Sequence, residues 1–189
     1  SITASDYLGT NNYFPLIFKV NNTQFARLHP NGGMAFGNGA VASNTNSVAI
    51  GTSATTSSNN QAVAIGQSSS ASFQSVAIGL NAETIGNTAV AIGSSARTSA
   101  QNSIAIGTSS NAAQDATAIG NSARATGYQS SAFGNGTSAS GQNSTAIGNG
   151  ATTSQANAIV IGTSGNKTGI GTSTPDERLH VAGSIKIVD

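Results

Sequence analysis

The sequence predicts an all-β solenoid, a parallel β-roll of about ten coils, and three observations predict it. A short phrase ending in glycine recurs down the chain. The residues before that glycine alternate large, small, large. The intervals between the glycines barely vary. The closing residues are Gly37, Gly51, Gly66, Gly79, Gly93, Gly107, Gly120, Gly134, Gly148 and Gly162, spaced by 13, 14 or 15 residues. A fixed period this short marks a stacked repeat in which each unit contacts its neighbours.

One repeat reads as two short strands and two turns. The position before each glycine is Ile or Phe, from Phe36 to Ile161, and the position three before it is Val, Ile or Met in most copies. Between them stands alanine in nine of ten copies, Val160 being the exception. Alternation with period two is strand periodicity, and it puts the large residues on one face and alanine on the other. The large residues are therefore expected inside. A second strand follows the glycine: small residues three and five positions after it point inward, and the slot between them points to water. That slot holds Glu83, Arg97 and Arg124, three of the four charged residues between Gly37 and Asn166. Five before the glycine, Asn46, Gln61, Gln74, Thr88, Asn102, Asp115, Gln129, Asn143 and Asn157 form a hydrogen-bonding row that stacking would turn into a ladder.

Fourteen residues also make two heptads, but a glycine in every repeat and slips of one residue would break a helical seam. Disorder, which the Ser, Thr, Asn and Gly content invites, does not keep Ile and Val in strict phase with glycine. A single coil supplies few large side chains against the ordering entropy of its residues. Association is the expected remedy. The alanine row (Ala35, Ala49, Ala64, Ala77, Ala91, Ala105, Ala118, Ala132, Ala146) is small enough to meet another copy's backbone, or lies where nothing larger fits.

The ends differ from the middle. Residues 1–33 hold most of the aromatics, including Tyr7, Tyr13, Phe14, Phe18 and Phe25, and read as a β-hairpin cap: Leu16–Val20, a turn at Asn21-Asn22, and Thr23–Leu28. Residues 34–165 are the repeat region. In 166–189, the stretches 178–182 and 185–188 read as short strands around a turn at Gly183-Ser184, a C-terminal β junction.

Function classes can be narrowed on composition. Net charge is +1, with 7 % charged residues and no cysteine. Nothing electrostatic favours nucleic acid or anionic membrane, and disulfides and thiolate metal sites are excluded. No run approaches 18 apolar residues, so no membrane insertion is expected of this segment, which reads as a fragment or mature piece of something longer. His29 and His180 lie in opposite flanks, so the serines of the repeat have no base, and no enzyme, metal or cofactor is expected. Phe73 and Tyr128 interrupt polar turns; with Arg97 and Arg124 they are candidate receptor contacts. Ice or crystal-surface binding would need a flat, uniform outward row, which the mixed slot does not offer.

The repeat, including ATGYQSSAFG at 125–134, closely resembles the head repeats of YadA-like trimeric adhesins. That resemblance implies a left-handed parallel β-roll, three chains wound into one homotrimeric rod, an extracellular location and a host-surface glycan or protein as receptor. It would make Ala49, Ala64, Ala77, Ala91, Ala105, Ala118, Ala132 and Ala146 the trimer-packing residues. The flanks, FPLIFKVNNTQFARLHPNGGMAFG and GIGTSTPDERLHVAGSIKI, resemble segments of phage tail fibres, with further fibre modules at both ends. The leading expectation is therefore a structural and adhesive segment of a phage or phage-like tail fibre on the virion. The head of a bacterial trimeric autotransporter adhesin is the alternative.

Overall fold

The computed structural model describes residues 9–42, 45–57 and 61–187. Its body is a stack of coils, each contributing a three-residue strand to one sheet and most a two-residue strand to a second. The first sheet runs from Met34–Phe36 through Val48–Ile50, Val63–Ile65 and their successors to Ile159–Ile161, every neighbour parallel. The second holds eight strands from Thr55–Thr56 to Thr152–Thr153, extended by a bridge from Val41 to Thr55. Register is kept throughout: Ile50 pairs with Ile65, Ile65 with Ile78, and Ile106 with Ile119, although these intervals are 15, 13 and 13 residues. The odd residues are taken up between strands, where no ladder is broken.

Two turns close each coil. After the glycine, the amide of the residue three positions on donates back to the glycine carbonyl, as Ala96 N–H does to Gly93 O at 3.2 Å. The residue before that amide, here Ser95, has φ of 56°. A single positive φ at the third position is the signature of a type II turn. The opposite corner uses the hydrogen-bonding row: Asn46, Gln61, Gln74, Thr88, Asn102, Asp115, Gln129, Asn143 and Asn157 all have φ between 53° and 66°. Their side chains link successive coils at several levels, with Thr88 Oγ1 to Asn102 Oδ1 at 2.6 Å, Asn102 Nδ2 to Asp115 Oδ1 at 3.0 Å and Asn143 Nδ2 to Asn157 Oδ1 at 3.0 Å.

The interior corrects the expected orientation. The alanines of the first sheet, Ala35, Ala49, Ala64, Ala77, Ala91, Ala105, Ala118, Ala132 and Ala146, are 0–1 % exposed within one chain. The large residues beside them turn outward, half-buried or exposed. Everything inside is small: Ser or Ala four before the glycine, Ala two before it, and Ala, Ser or Thr three and five after it. Two backbones folded this tightly leave room for a methyl or a hydroxyl and nothing longer. Several buried hydroxyls reach back to the opening carbonyl of their own turn: Ser103 Oγ to Ala100 O at 2.6 Å, Ser144 Oγ to Gly141 O at 2.7 Å, Ser110 Oγ to Gly107 O at 2.8 Å. Serine is therefore tolerated in the core where its hydroxyl finds an acceptor locally, whereas the threonine hydroxyls of Thr56 and Thr98 are buried without a partner.

The repeated glycine answers the same tightness. Gly93 has φ of 133°, and a Cβ built there would lie 2.5 Å from Gly107 O in the next coil. No L-residue avoids both the strained backbone and the clash.

At the N-terminal end, β1 (Leu16–Val20) and β2 (Thr23–Leu28) form an antiparallel hairpin through Asn21 and Asn22, both at positive φ, as a type I′ turn requires. β2 pairs antiparallel with β3 (Met34–Phe36), so the hairpin prolongs the first sheet by two strands. At the other end Leu179–Val181 pairs in parallel with Thr168–Ile170, not with a strand across Gly183-Ser184. Residues 185–187 carry no strand; Tyr7 and Val188 lie outside the described residues. The backbone partner of Leu179–Val181 comes from upstream.

Two substitutions test the interior. Ala91→Leu overpacks a site with no free volume and should cost about 1–3 kcal/mol. Gly93→Ala forces alanine to a positive φ, about 1–3 kcal/mol by itself, with the contact to Gly107 added. Both are expected to lower the thermal unfolding midpoint, whereas Ser103→Ala should have a much smaller effect.

Candidate interaction surfaces

With its interior filled by small groups, the chain displays its large apolar residues on the outer face of the first sheet. Two parallel rows run along it. One is Phe36, Ile50, Ile65, Ile78, Ile92, Ile106, Ile119, Phe133, Ile147 and Ile161; the other is Met34, Val48, Val63, Val76, Val90 and Ile104, then Thr117, Ser131 and Thr145, ending in Ile159. Exposure is 37 % at Ile92, 40 % at Ile147 and 71 % at Ile159. At one coil per 4.8 Å the stripe is roughly 45 Å long. It also crosses onto the hairpin, because Leu28 is in register with Met34, Ala26 with Phe36, Leu16 with Leu28 and Phe18 with Ala26. A contiguous apolar strip of this length is uncommon on a free monomer and marks an interaction surface.

The alanines named as trimer-packing residues are buried within their own chain, where nothing larger fits. Their methyl groups point into their own coil, and the rows flanking them point out. The sequence carried a signal for this. Ser47, Ala62, Ser75, Ala89, Ser103, Ala116, Ser130 and Ser144 stand two before each alanine and share its face, and all are buried. A face that is small at two successive positions in every repeat encloses no room.

The second sheet presents a polar face. Arg97 and Arg124 are exposed there, and Glu83 is partly so. Arg97 Nε lies 2.8 Å from Glu83 Oε2, an ion pair between adjacent coils with both side chains well exposed. The four candidate receptor contacts do not converge. Phe73 is half-buried and Tyr128 is 42 % exposed, and both sit in corner turns, four coils or about 19 Å apart. Only Arg124 and Tyr128 share one coil. Among the described residues no three His, Asp or Glu side chains gather as a metal-binding group, and no cavity opens. His180 Nδ1 lies 2.6 Å from Asp176 Oδ1 in the C-terminal flank, far along the chain from His29.

The family description "YadA head domain repeat" matches residues 31–54, 72–96, 85–110, 99–115, 112–137 and 139–164. The fold is similar to the crystal structure of the collagen-binding domain of the Yersinia adhesin YadA, with a TM-score of 0.61, 28 % sequence identity, and coverage of 77 % of each chain. Comparison with curated proteins gives no match. Both findings favour the adhesin head among the readings the sequence left open, and neither points to a phage tail fibre.

The outward slot yields a prediction of contrast. An exposed ion pair contributes under about 1 kcal/mol, so Arg97→Leu should leave the unfolding midpoint nearly unchanged. The small remaining difference should vanish in high salt.

Proposed function

Because this chain belongs to the YadA head domain repeat family, we propose that it is an adhesin head at the bacterial cell surface, working as three chains packed side by side. The observation that carries the reading is the uncovered apolar stripe on the first sheet. Each coil is too thin to bury Ile and Val within itself, and a neighbour's equivalent rows bury them at about 25 cal/mol per Å². Closed three-fold symmetry lets every chain cover one neighbour and be covered by another, so no stripe is left to drive open-ended association. Residues 34–165 form the rod in this reading, with 1–33 and 166–189 as its end pieces. The hairpin shares in the contact because the stripe runs onto it.

Packing through the first sheet leaves the polar second sheet and its corner turns for the receptor. The similar Yersinia domain is described as collagen-binding. We infer a host matrix protein of that elongated kind as the partner here, lying along the rod. Arg124 and Tyr128, on one coil, are the first contacts to test, with Phe73 and Arg97 after them.

Sedimentation of the purified chain is expected to give three copies at micromolar concentration. Ile92→Asp with Ile106→Asp should abolish that association, since each buried carboxylate would lack a partner. A native chain that sediments as a monomer overturns the assembly. On immobilised collagen, Arg124→Ala with Tyr128→Ala should weaken binding while leaving the trimer intact; undiminished binding removes those two residues from the contact.

A further inference from the structure

We propose that Asn38 is a built-in site of spontaneous modification, where the side-chain amide is lost through a cyclic imide formed with the backbone of Gly39. Asparagine followed by glycine is the dipeptide best suited to this reaction, because glycine has no Cβ to hinder approach to its nitrogen. The chain has four such pairs: Asn31-Gly32, Asn38-Gly39, Asn135-Gly136 and Asn149-Gly150. The fold treats them unequally.

The attacking atom is the amide nitrogen of the glycine, and in three pairs that N–H is already engaged. Gly136 N–H donates to Asn121 O at 2.9 Å and Gly150 N–H to Asn135 O at 2.9 Å, each to the coil before it. Gly32 N–H donates to His29 O at 2.9 Å, and the side-chain oxygen of Asn31 accepts from the Tyr13 hydroxyl. Gly39 belongs to the first coil. Among the described residues no coil precedes it, and the hairpin's ladder ends one turn earlier, where Gly37 N–H meets Phe25 O at 2.7 Å. The Gly39 amide therefore has no acceptor. Asn38 and Gly39 are both exposed, and Gly39 sits at φ of 69° in the open turn.

The reaction balances without a further reagent than water. Gly39 nitrogen gives its proton to solvent base and bonds to Asn38 Cγ. The side-chain nitrogen takes up a proton and leaves as ammonia. Water then opens the five-membered imide at either carbonyl, giving aspartate or isoaspartate at position 38. Either product places a negative charge in a stretch, residues 7–82, that has no acidic residue. Isoaspartate also lengthens the backbone of the turn whose Asn38 carbonyl accepts from Ser53 N–H at 2.8 Å.

The experiment is incubation of the intact chain at mildly alkaline pH, followed by digestion and mass spectrometry of the four Asn-Gly peptides. Each molecule carries its own references. Asn38 is expected to convert about three- to tenfold faster than Asn135 or Asn149, the factor one backbone hydrogen bond is worth. In denaturant the spread among the pairs should close. Native conversion of Asn135 or Asn149 at the rate of Asn38 overturns the proposal, as does a native Asn38 slower than in the unfolded chain by more than the other sites. A preference for Asn38 that survives unfolding also overturns it, because the fold would then not be its cause.

Discussion

Fourteen residues closed into a coil with two short strands enclose a slot that admits methyl and hydroxyl groups only. That limit orders the rest of the structure. Ala35 through Ala146, the paired Ser and Ala two positions earlier, and the small residues of the second sheet fill the slot. The glycine at each corner lets one coil's backbone lie against the next, where a Cβ would collide. Large apolar side chains have nowhere to go but outward, and a sheet whose outward face is Ile and Val calls for a neighbour.

The repeat, its period, its strands and its turns were legible in the sequence because each is a local property. Phase between Ile and glycine identifies a strand end. Polar residues at a fixed offset identify a row that stacking links from coil to coil, as at Asn102 and Asn143; that the same row holds the left-handed corners is seen only in the backbone. Which face of the strand looks inward is not local. Ile92 and Ala91 alternate identically whether the core is built from one or the other, and the habit of placing large residues inside gives the wrong answer here. Only the space between the two sheets decides it, and that space depends on coil length and on the second strand. The row from Ser47 to Ser144, read together with the alanines, would have shown that the narrow face is the enclosed one.

The interaction surface follows the same division. Rows of Val and Ile were plain in the sequence, but their role as a surface became visible only once the core was known to lie behind them. Arg124 and Tyr128 fall on one coil because they stand four positions apart within a single turn of the roll; Phe73 and Arg97 are each carried to other levels by the stacking. At the C-terminal flank, the pairing of Leu179–Val181 with Thr168–Ile170 is a parallel contact across a short loop. Alternation of side chains fixes neither the partner nor the direction of a strand, so this contact was not to be had from pattern alone.

Hydrogen bonds between coils all run along the axis of the stack, while those within a coil are confined to its turns. A surface filament bearing a load from end to end would feel that load as tension on one ladder after another. Each ring that lets go would release about fourteen residues, close to 45 Å of extended chain against the 4.8 Å it spanned when folded. Stacked in this way, such a filament would hold until its terminal ring yielded and would then lengthen one coil of 13–15 residues at a time. Glycine, chosen by crowding, thereby sets the stride of a mechanical fuse.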